Sequence, residues 1–337
     1  MPDPGTPGAS APGAVYRLEC RHSAWRSLGI CAAVFGSAAI LTQAVAIGIA
    51  LLTIPPDFPL RPDGSLAYHF GVGIGLAPQY TTDVGLLASA CAWALAGFLL
   101  IRSVFRKTAI VATAPGAAHP VRYELDVEAP VRRFGWPITL AAAGTLCTLG
   151  GALAYYLPWC VGAVARTATG RAPAPTGAGA DNLAITCVLD RAALAKRAAL
   201  PGVAITVAGA VYITAWLDLQ EVLALPQPTT AADVAAWETM AGTAGLLWVG
   251  ALAVGVLLAV PAGWFLIRHA TSQLQVRGED GSGGRLAVEA TGTPGYLAKW
   301  VAICLLTGGA GVLFYPAKAL TRALNHARAG DGDVPHT

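Results

Sequence analysis

Four stretches of this chain, 27–54, 84–101, 198–217 and 239–267, contain no charged side chain. An apolar run of about 18 or more residues is long enough to cross a bilayer as a helix. Inside lipid the backbone must satisfy its own polar groups, so only helices and closed barrels remain available. Composition agrees, since 55% of residues are hydrophobic, 12% are charged and mean hydropathy is +0.56, outside the range of soluble domains. Two further apolar stretches are less regular: 134–165 is long but interrupted, and 300–317 is short.

Those two stretches resemble each other. Thr148, Gly150, Gly151, Tyr156 and Pro158 recur as Thr307, Gly308, Gly309, Tyr315 and Pro316, at an offset of 158 to 159 residues. Farther out, Val127-Glu128-Ala129 matches Val288-Glu289-Ala290, and Phe98-Leu99-Leu100-Ile101-Arg102 matches Trp264-Phe265-Leu266-Ile267-Arg268. The expectation is a tandem duplication, with one membrane repeat over 15–166 and a second over 184–329. A Gly/Pro/Ala-rich linker at 167–183 would join them, with a disordered arm at 1–14 and a short tail at 330–337.

Alternating apolar and polar residues at 15–20, 121–128 and 285–289, with candidate partners at 108–113, 185–190 and 272–277, predict about three short strands in each half. The fold class expected is therefore a mainly α membrane protein. Each half would hold two spanning helices, a glycine-broken helical segment that re-enters or half-inserts, and strands contributing to a small cytoplasmic sheet.

Charge sets the expected topology. The N-terminal arm, the 102–133 and 268–299 loops, the linker and the C-terminal end are basic, whereas the 55–83 and 226–238 loops are acidic. The positive-inside rule puts all the basic segments on the cytoplasmic side, including both termini. That requires the third and sixth apolar segments to leave and return on one side, with the glycine pairs as the bend. The piece 138–149 makes roughly 18 Å of helix against a hydrocarbon core of about 30 Å. The two halves would then be parallel rather than inverted. Arginine in excess of lysine, with abundant alanine, fits a GC-rich bacterial genome, and the location expected is the inner (plasma) membrane.

Cys147-Thr148-Leu149-Gly150 and Tyr156-Leu157-Pro158-Trp159, with Arg166 behind them, resemble the repeated apolar segment of the YjgN-like family of bacterial inner-membrane proteins. Leu306-Thr307-Gly308 and Tyr315-Pro316-Ala317 with Lys318 are similar. The short strand before an apolar helix around 185–197 also resembles that family. About one extra helical turn separates glycine from tyrosine-proline here, and the second copy lacks the tryptophan. The resemblance spans about a third of the chain and implies an architecture, not an activity.

Motifs for chemistry are absent from the sequence. Gly71, Gly73 and Gly75 form a G-x-G-x-G outside any βαβ unit, no G-x-x-x-x-G-K-[ST] occurs, and the histidines are scattered. The seven cysteines show no metal or redox spacing and read as packing thiols. A net charge of +3, with the basic residues beside the membrane segments, favours topology signals over a nucleic-acid surface, and no nucleic-acid partner is expected. No catalytic, cofactor or metal residue is assigned, and no cofactor is expected. The candidates are a substrate path at Gly150, Gly151, Gly308, Gly309 and Gln43, and interfacial acids Asp218 and Glu221. The partner expected is the lipid bilayer, with a homo-oligomer left open and other protein partners unspecified. A structural or accessory membrane protein is the leading functional reading, and a small permease or channel through the broken segments is the alternative. A polar cavity joining the glycine pairs would favour transport, whereas an apolar interior would favour the accessory role.

Overall fold

The computed structural model describes residues 15–52, 78–113, 120–171, 183–224, 231–278, 283–289 and 292–329. The expected arm at 1–14, the G-x-G-x-G, the centre of the linker and the tail at 330–337 lie outside the described residues. The long apolar runs form helices α1 (Ala24–Leu52), α2 (Pro78–Phe105), α5 (Arg191–Ala224) and α6 (Ala231–Thr271). All four are long and apolar enough to cross a membrane, which marks a membrane-embedded chain. The interrupted runs give pairs of short helices: α3 (Gly135–Cys147) with α4 (Leu153–Ala165), and α7 (Thr293–Leu306) with α8 (Tyr315–Asn325).

The strands are β1 (Val15–Cys20), β2 (Thr108–Thr113), β3 (Val121–Val127), β4 (Ala168–Arg171), β5 (Leu183–Cys187), β6 (Leu274–Gly278), β7 (Gly283–Arg285), β8 (Ala287–Val288) and β9 (Ala327–Ala329). They do not make the small sheet expected from the sequence. All nine join one antiparallel sheet in the order β7-β6-β5-β4-β3-β2-β1-β9-β8. Only Leu286 separates β7 from β8, and its N–H donates to the Leu274 carbonyl at 2.9 Å. The stretch 283–289 thus pairs with β6 at one end and β9 at the other, and the sheet is a nearly closed barrel. Closure removes the two unpaired edges that a small open sheet would leave. Two strands absent from the sequence reading make closure work: β4 pairs with β3 and β5, and β9 pairs with β1 and β8.

Neighbouring strands alternate in direction, so β1, β3, β5 and the β7–β8 stretch all end at the same rim. A helical excursion leaves from each of these ends and returns to the neighbouring strand. Backbone hydrogen bonds close the bases of the excursions: Arg21 to Lys107 (2.9 Å), Glu128 to Thr167 (3.2 Å), Val188 to Gln273 (3.2 Å) and Glu289 to His326 (3.0 Å). Two long and two short helical hairpins therefore rise from one rim, alternating around it. Counting the β7–β8 stretch as one strand, which makes the ring eight-stranded, the order β-α-α-β-β-α-α-β occurs over 15–171 and again over 183–329.

The barrel lumen is filled. Tyr16, Leu18, Ile110, Tyr123, Leu125, Ile185, Val276 and Leu286 are buried in one continuous apolar core that runs up among the helix bases. An eight-stranded ring leaves an interior just wide enough for side chains to fill. The outer face is polar, with Arg17, Arg122 and Glu19 paired across β1 to β3 and Arg171 beside Asp126. At the end of the chain, α8 packs into the core. Tyr315, Leu320 and Leu324 are buried in the core, and the Asn325 side chain bonds both backbone groups of Cys20, accepting from its N–H at 2.6 Å.

Candidate functional site

Each short hairpin turns by the same local device. The Leu149 and Gly150 backbones take φ of +46° and +101°, and Gly308 and Gly309 take +58° and +88°. Gly150 N–H bonds the Thr145 carbonyl (2.9 Å) and Leu149 N–H the Leu146 carbonyl, while Gly309 and Gly308 bond Cys304 and Leu305 likewise. These nested bonds form a Schellman motif, which satisfies the last carbonyls of the first helix. Thr148 and Thr307 complete each turn, accepting from the N–H groups of Ala152 (2.8 Å) and Gly311 (2.9 Å). The break thus falls at 149–150 and 308–309, one residue earlier in the first half than the glycine pair Gly150-Gly151 indicates. Leucine takes a left-handed conformation in the first half where glycine takes it in the second.

Gly151 has a different task. A Cβ there would lie 2.2 Å from Thr206 Oγ1 and 2.4 Å from the Gly202 carbonyl, so the hairpin tip packs backbone to backbone on α5. One turn farther along α5, a Cβ on Gly209 would lie 2.6 Å from the Leu149 carbonyl. The tips are also tied to the long helices near their base. Tyr156 donates its hydroxyl to the Ala94 carbonyl of α2 (3.2 Å), and Tyr315 donates to the Val260 carbonyl of α6 (2.6 Å).

The long hairpins and the short ones together line a cavity of about 420 Å³. Leu86, Ala90 and Trp93 of α2 form one wall, and Ile205, Tyr212 and Ile213 of α5 with Ala259, Ala262 and Leu266 of α6 form the opposite wall. Thr145, Leu149, Gly150, Leu153 and Pro158 come from the first short hairpin, and Val312, Tyr315 and Pro316 from the second. No charged side chain lines it among the described residues. Thr145 is buried there, and its hydroxyl has no hydrogen-bond partner.

Charge lies elsewhere, at the barrel rim. Basic residues gather toward that end: Arg26 in α1, Arg102 in α2, Arg197 in α5, Arg268 in α6 and Arg322 in α8, with Arg132 just before α3 and Arg166 just after α4. The far ends of α5 and α6 carry Asp218, Glu221, Asp233 and Glu238 instead. In the second half Arg322 lies 4.6 Å from the Tyr296 ring, beside the Trp264 ring. His22, where β1 leads into α1, is buried, with Nε2 3.1 Å from Ser103 Oγ.

Of the sequence candidates, Gly150 lines the cavity, and Gly151 touches α5 behind it. Gly309 packs against Leu252, where a Cβ would lie 3.0 Å from the side chain, while Gly308 has open space around it. Gln43 is exposed on α1 and is not brought into the cavity. Asp218 and Glu221 are exposed near the end of α5. Sequence reasoning missed Thr145, Trp93 and Tyr212, which carry no local signal beyond being polar or aromatic residues in apolar runs. Among the described residues no group of three His, Cys, Asp or Glu side chains is placed to hold a metal ion. Compared with protein-family models, curated proteins and solved structures, the chain matches none.

Proposed function

We propose that this chain is a structural or accessory protein of the bacterial inner membrane, built from two equivalent halves. In this reading α1, α2, α5 and α6 cross the bilayer, the two short hairpins re-enter it, and the barrel with both termini is cytoplasmic. The basic rim and the acidic far ends support that orientation, because positive residues flanking spans are retained inside. Trp25 and Trp136, exposed at the rim-side ends of α1 and α3, sit where an aromatic belt at the membrane–water boundary would place them. The hydrogen-bonded bases of the short hairpins support re-entry, since chain that leaves and returns at adjacent strands has no net crossing. Their turns need no help from lipid, because the Schellman bonds satisfy the backbone at the tip. The likeness to the YjgN-like family fits the same architecture.

One observation carries the accessory role over transport: a polar solute moving along the axis shared by the halves would have to pass an uncharged apolar cavity and then a filled barrel lumen. Desolvating such a solute without partners costs several kcal/mol per polar group. The permease alternative rests on the broken segments framing the cavity, which no charged side chain lines among the described residues. The test is reconstitution into sealed liposomes loaded with potassium phosphate, glycine and a pH-sensitive dye. The expected result is a solute leak no faster than in empty liposomes. Protein-dependent release of any of them overturns the accessory role.

A further inference from the structure

We propose that the outer face of α5 and α6 is a binding site for one anionic phospholipid, with its phosphate against Arg197 and His269 and an acyl chain in the groove between the two helices. This goes beyond the accessory role and rests on the reading that α5 and α6 cross the bilayer with the barrel rim at the cytoplasmic surface.

The foot of the site is a cluster of basic groups where α5, α6 and the barrel meet. Arg197 Nη1 lies 2.7 Å from His269 Nδ1. A guanidinium has only donors, so Nδ1 accepts and the ring proton sits on Nε2. Arg285 is held nearby: its Nε donates to the Ser272 carbonyl at 2.9 Å, and its Nη2 donates to Gln273 Oε1. The charges of both arginines act on His269. Arg197 and Arg285 are exposed, and among the described residues neither is ion-paired with a carboxylate. Cations gathered without an acid repel one another, and a phosphate among them relieves that repulsion and fits the planar fork of arginine. The first half lacks this cluster. Arg285-Leu286-Ala287-Val288-Glu289 aligns with Glu124-Leu125-Asp126-Val127-Glu128, and Ser103 follows Arg102 where His269 follows Arg268.

From this foot an open groove of about 580 Å³ runs between α5 and α6, lined only by leucine, valine, alanine and glycine. On α5, Leu200, Val207 and Val211 follow Arg197 at spacings that keep all four on one helix face. On α6, Leu258 and His269 share a face in the same way, with exposed Phe265 between them. Leu200 is 79% exposed and Val207 58% exposed, so no described part of this chain covers the groove. Its α5 side, from Leu200 to Val211, is roughly 16 Å long, about the depth of one leaflet in a hydrocarbon core of about 30 Å. A cationic foot at the rim with an apolar groove leading away from it matches a lipid whose charge stays at the interface while its chain enters the core. A second copy of this chain fits less well. Crossing the bilayer in the same direction, it would set its own cations at the same level, like charge against like.

The test uses the full chain purified in detergent, as wild type, Arg197→Gln, Gly250→Leu and Arg26→Gln. The first variant deletes the charge at the foot. Gly250 lines the groove with nothing within 4 Å of an added Cβ, so leucine there fills the groove without disturbing the interior. Arg26→Gln deletes an equal charge from the first half. Melting without added lipid checks that each variant is folded. Native mass spectrometry of wild type with dioleoylphosphatidylglycerol should show one tightly held lipid per chain, and that lipid should raise the melting temperature. Dioleoylphosphatidylcholine and inorganic phosphate should not. Arg197→Gln should bind dioleoylphosphatidylglycerol about five- to tenfold more weakly. Gly250→Leu should lose the shift, and Arg26→Gln should bind as wild type does. An equal response to phosphatidylcholine, a response to phosphate alone, or undiminished binding by Arg197→Gln overturns the proposal, as does an equal loss in Arg26→Gln. So does a lipid-free dimer that Gly250→Leu converts to a monomer, which assigns the groove to a second copy. If α5 and α6 prove to cross the bilayer yet no anionic lipid is held, the site fails alone and the membrane reading stands.

Discussion

At the scale of single residues, His22 has a measurable consequence. Burial first, and then the charges of Lys318 and Arg26, lower its pKa from 6.5 to about 4. Ser103 is its neutral partner across α2. In the unfolded chain this histidine takes up a proton near pH 6.5, whereas in the fold it resists protonation until about pH 4. Its effect on stability is therefore nil above pH 6.5, and stability falls as pH drops from 6.5 toward 4. Melting of the detergent-purified protein across that range should show this acid slope, and His22→Gln should flatten it. An identical slope in the variant would mean that His22 is not buried as described. The sequence held no sign of this burial, because a histidine between a strand and a helix looks the same whether it is solvated or enclosed. Thr145 was illegible for a related reason. Threonines in apolar helices usually bond their own backbone, and only the tertiary arrangement shows a buried one that does not.

At the scale of elements, the short hairpins depend on backbone contact at their tips. Gly151→Ala places a methyl group within 2.4 Å of the Gly202 carbonyl, which is backbone of α5 and cannot step aside. The expected cost is about 1–3 kcal/mol, the usual range for overpacking, read as a lower melting temperature. Gly29→Ala, at a helical position with nothing within 4 Å, serves as the control and should be neutral or slightly stabilising. Equal losses at both positions would remove the tip contact from the account. These hairpins were legible as breaks because paired glycines interrupt an apolar run. Which residue bends was not legible, since Leu149 carries a conformation usually left to glycine. The strands divide in the same way. β1 and β3 announce themselves by alternation, whereas Ala168–Arg171 and Ala327–Ala329 are too short and too poor in strand-forming residues. They are strands because the barrel offers each a partner on both sides.

At the scale of the whole molecule, barrel closure is non-local and has no sequence signature. β1 meets β9 through Tyr16 and Ala329, near opposite ends of the chain, and the helical hairpins between them hide the continuity of the sheet. Charge, by contrast, is a global property that the sequence displays openly, and the positive-inside expectation drawn from it concerns the membrane, which the measurement below addresses. The central claim is that the chain between α4 and β5 returns to the side on which β1 began. It is tested most directly by single cysteines in a background with the exposed Cys91 and Cys147 replaced by alanine. Thr169→Cys sits on the outer face of β4, and Glu221→Cys near the far end of α5. In intact bacterial cells a membrane-impermeant maleimide should label position 221 and spare position 169, with both labelling once the membrane is opened. Labelling of position 169 in intact cells would mean that the first short hairpin crosses the bilayer, and would contradict the account.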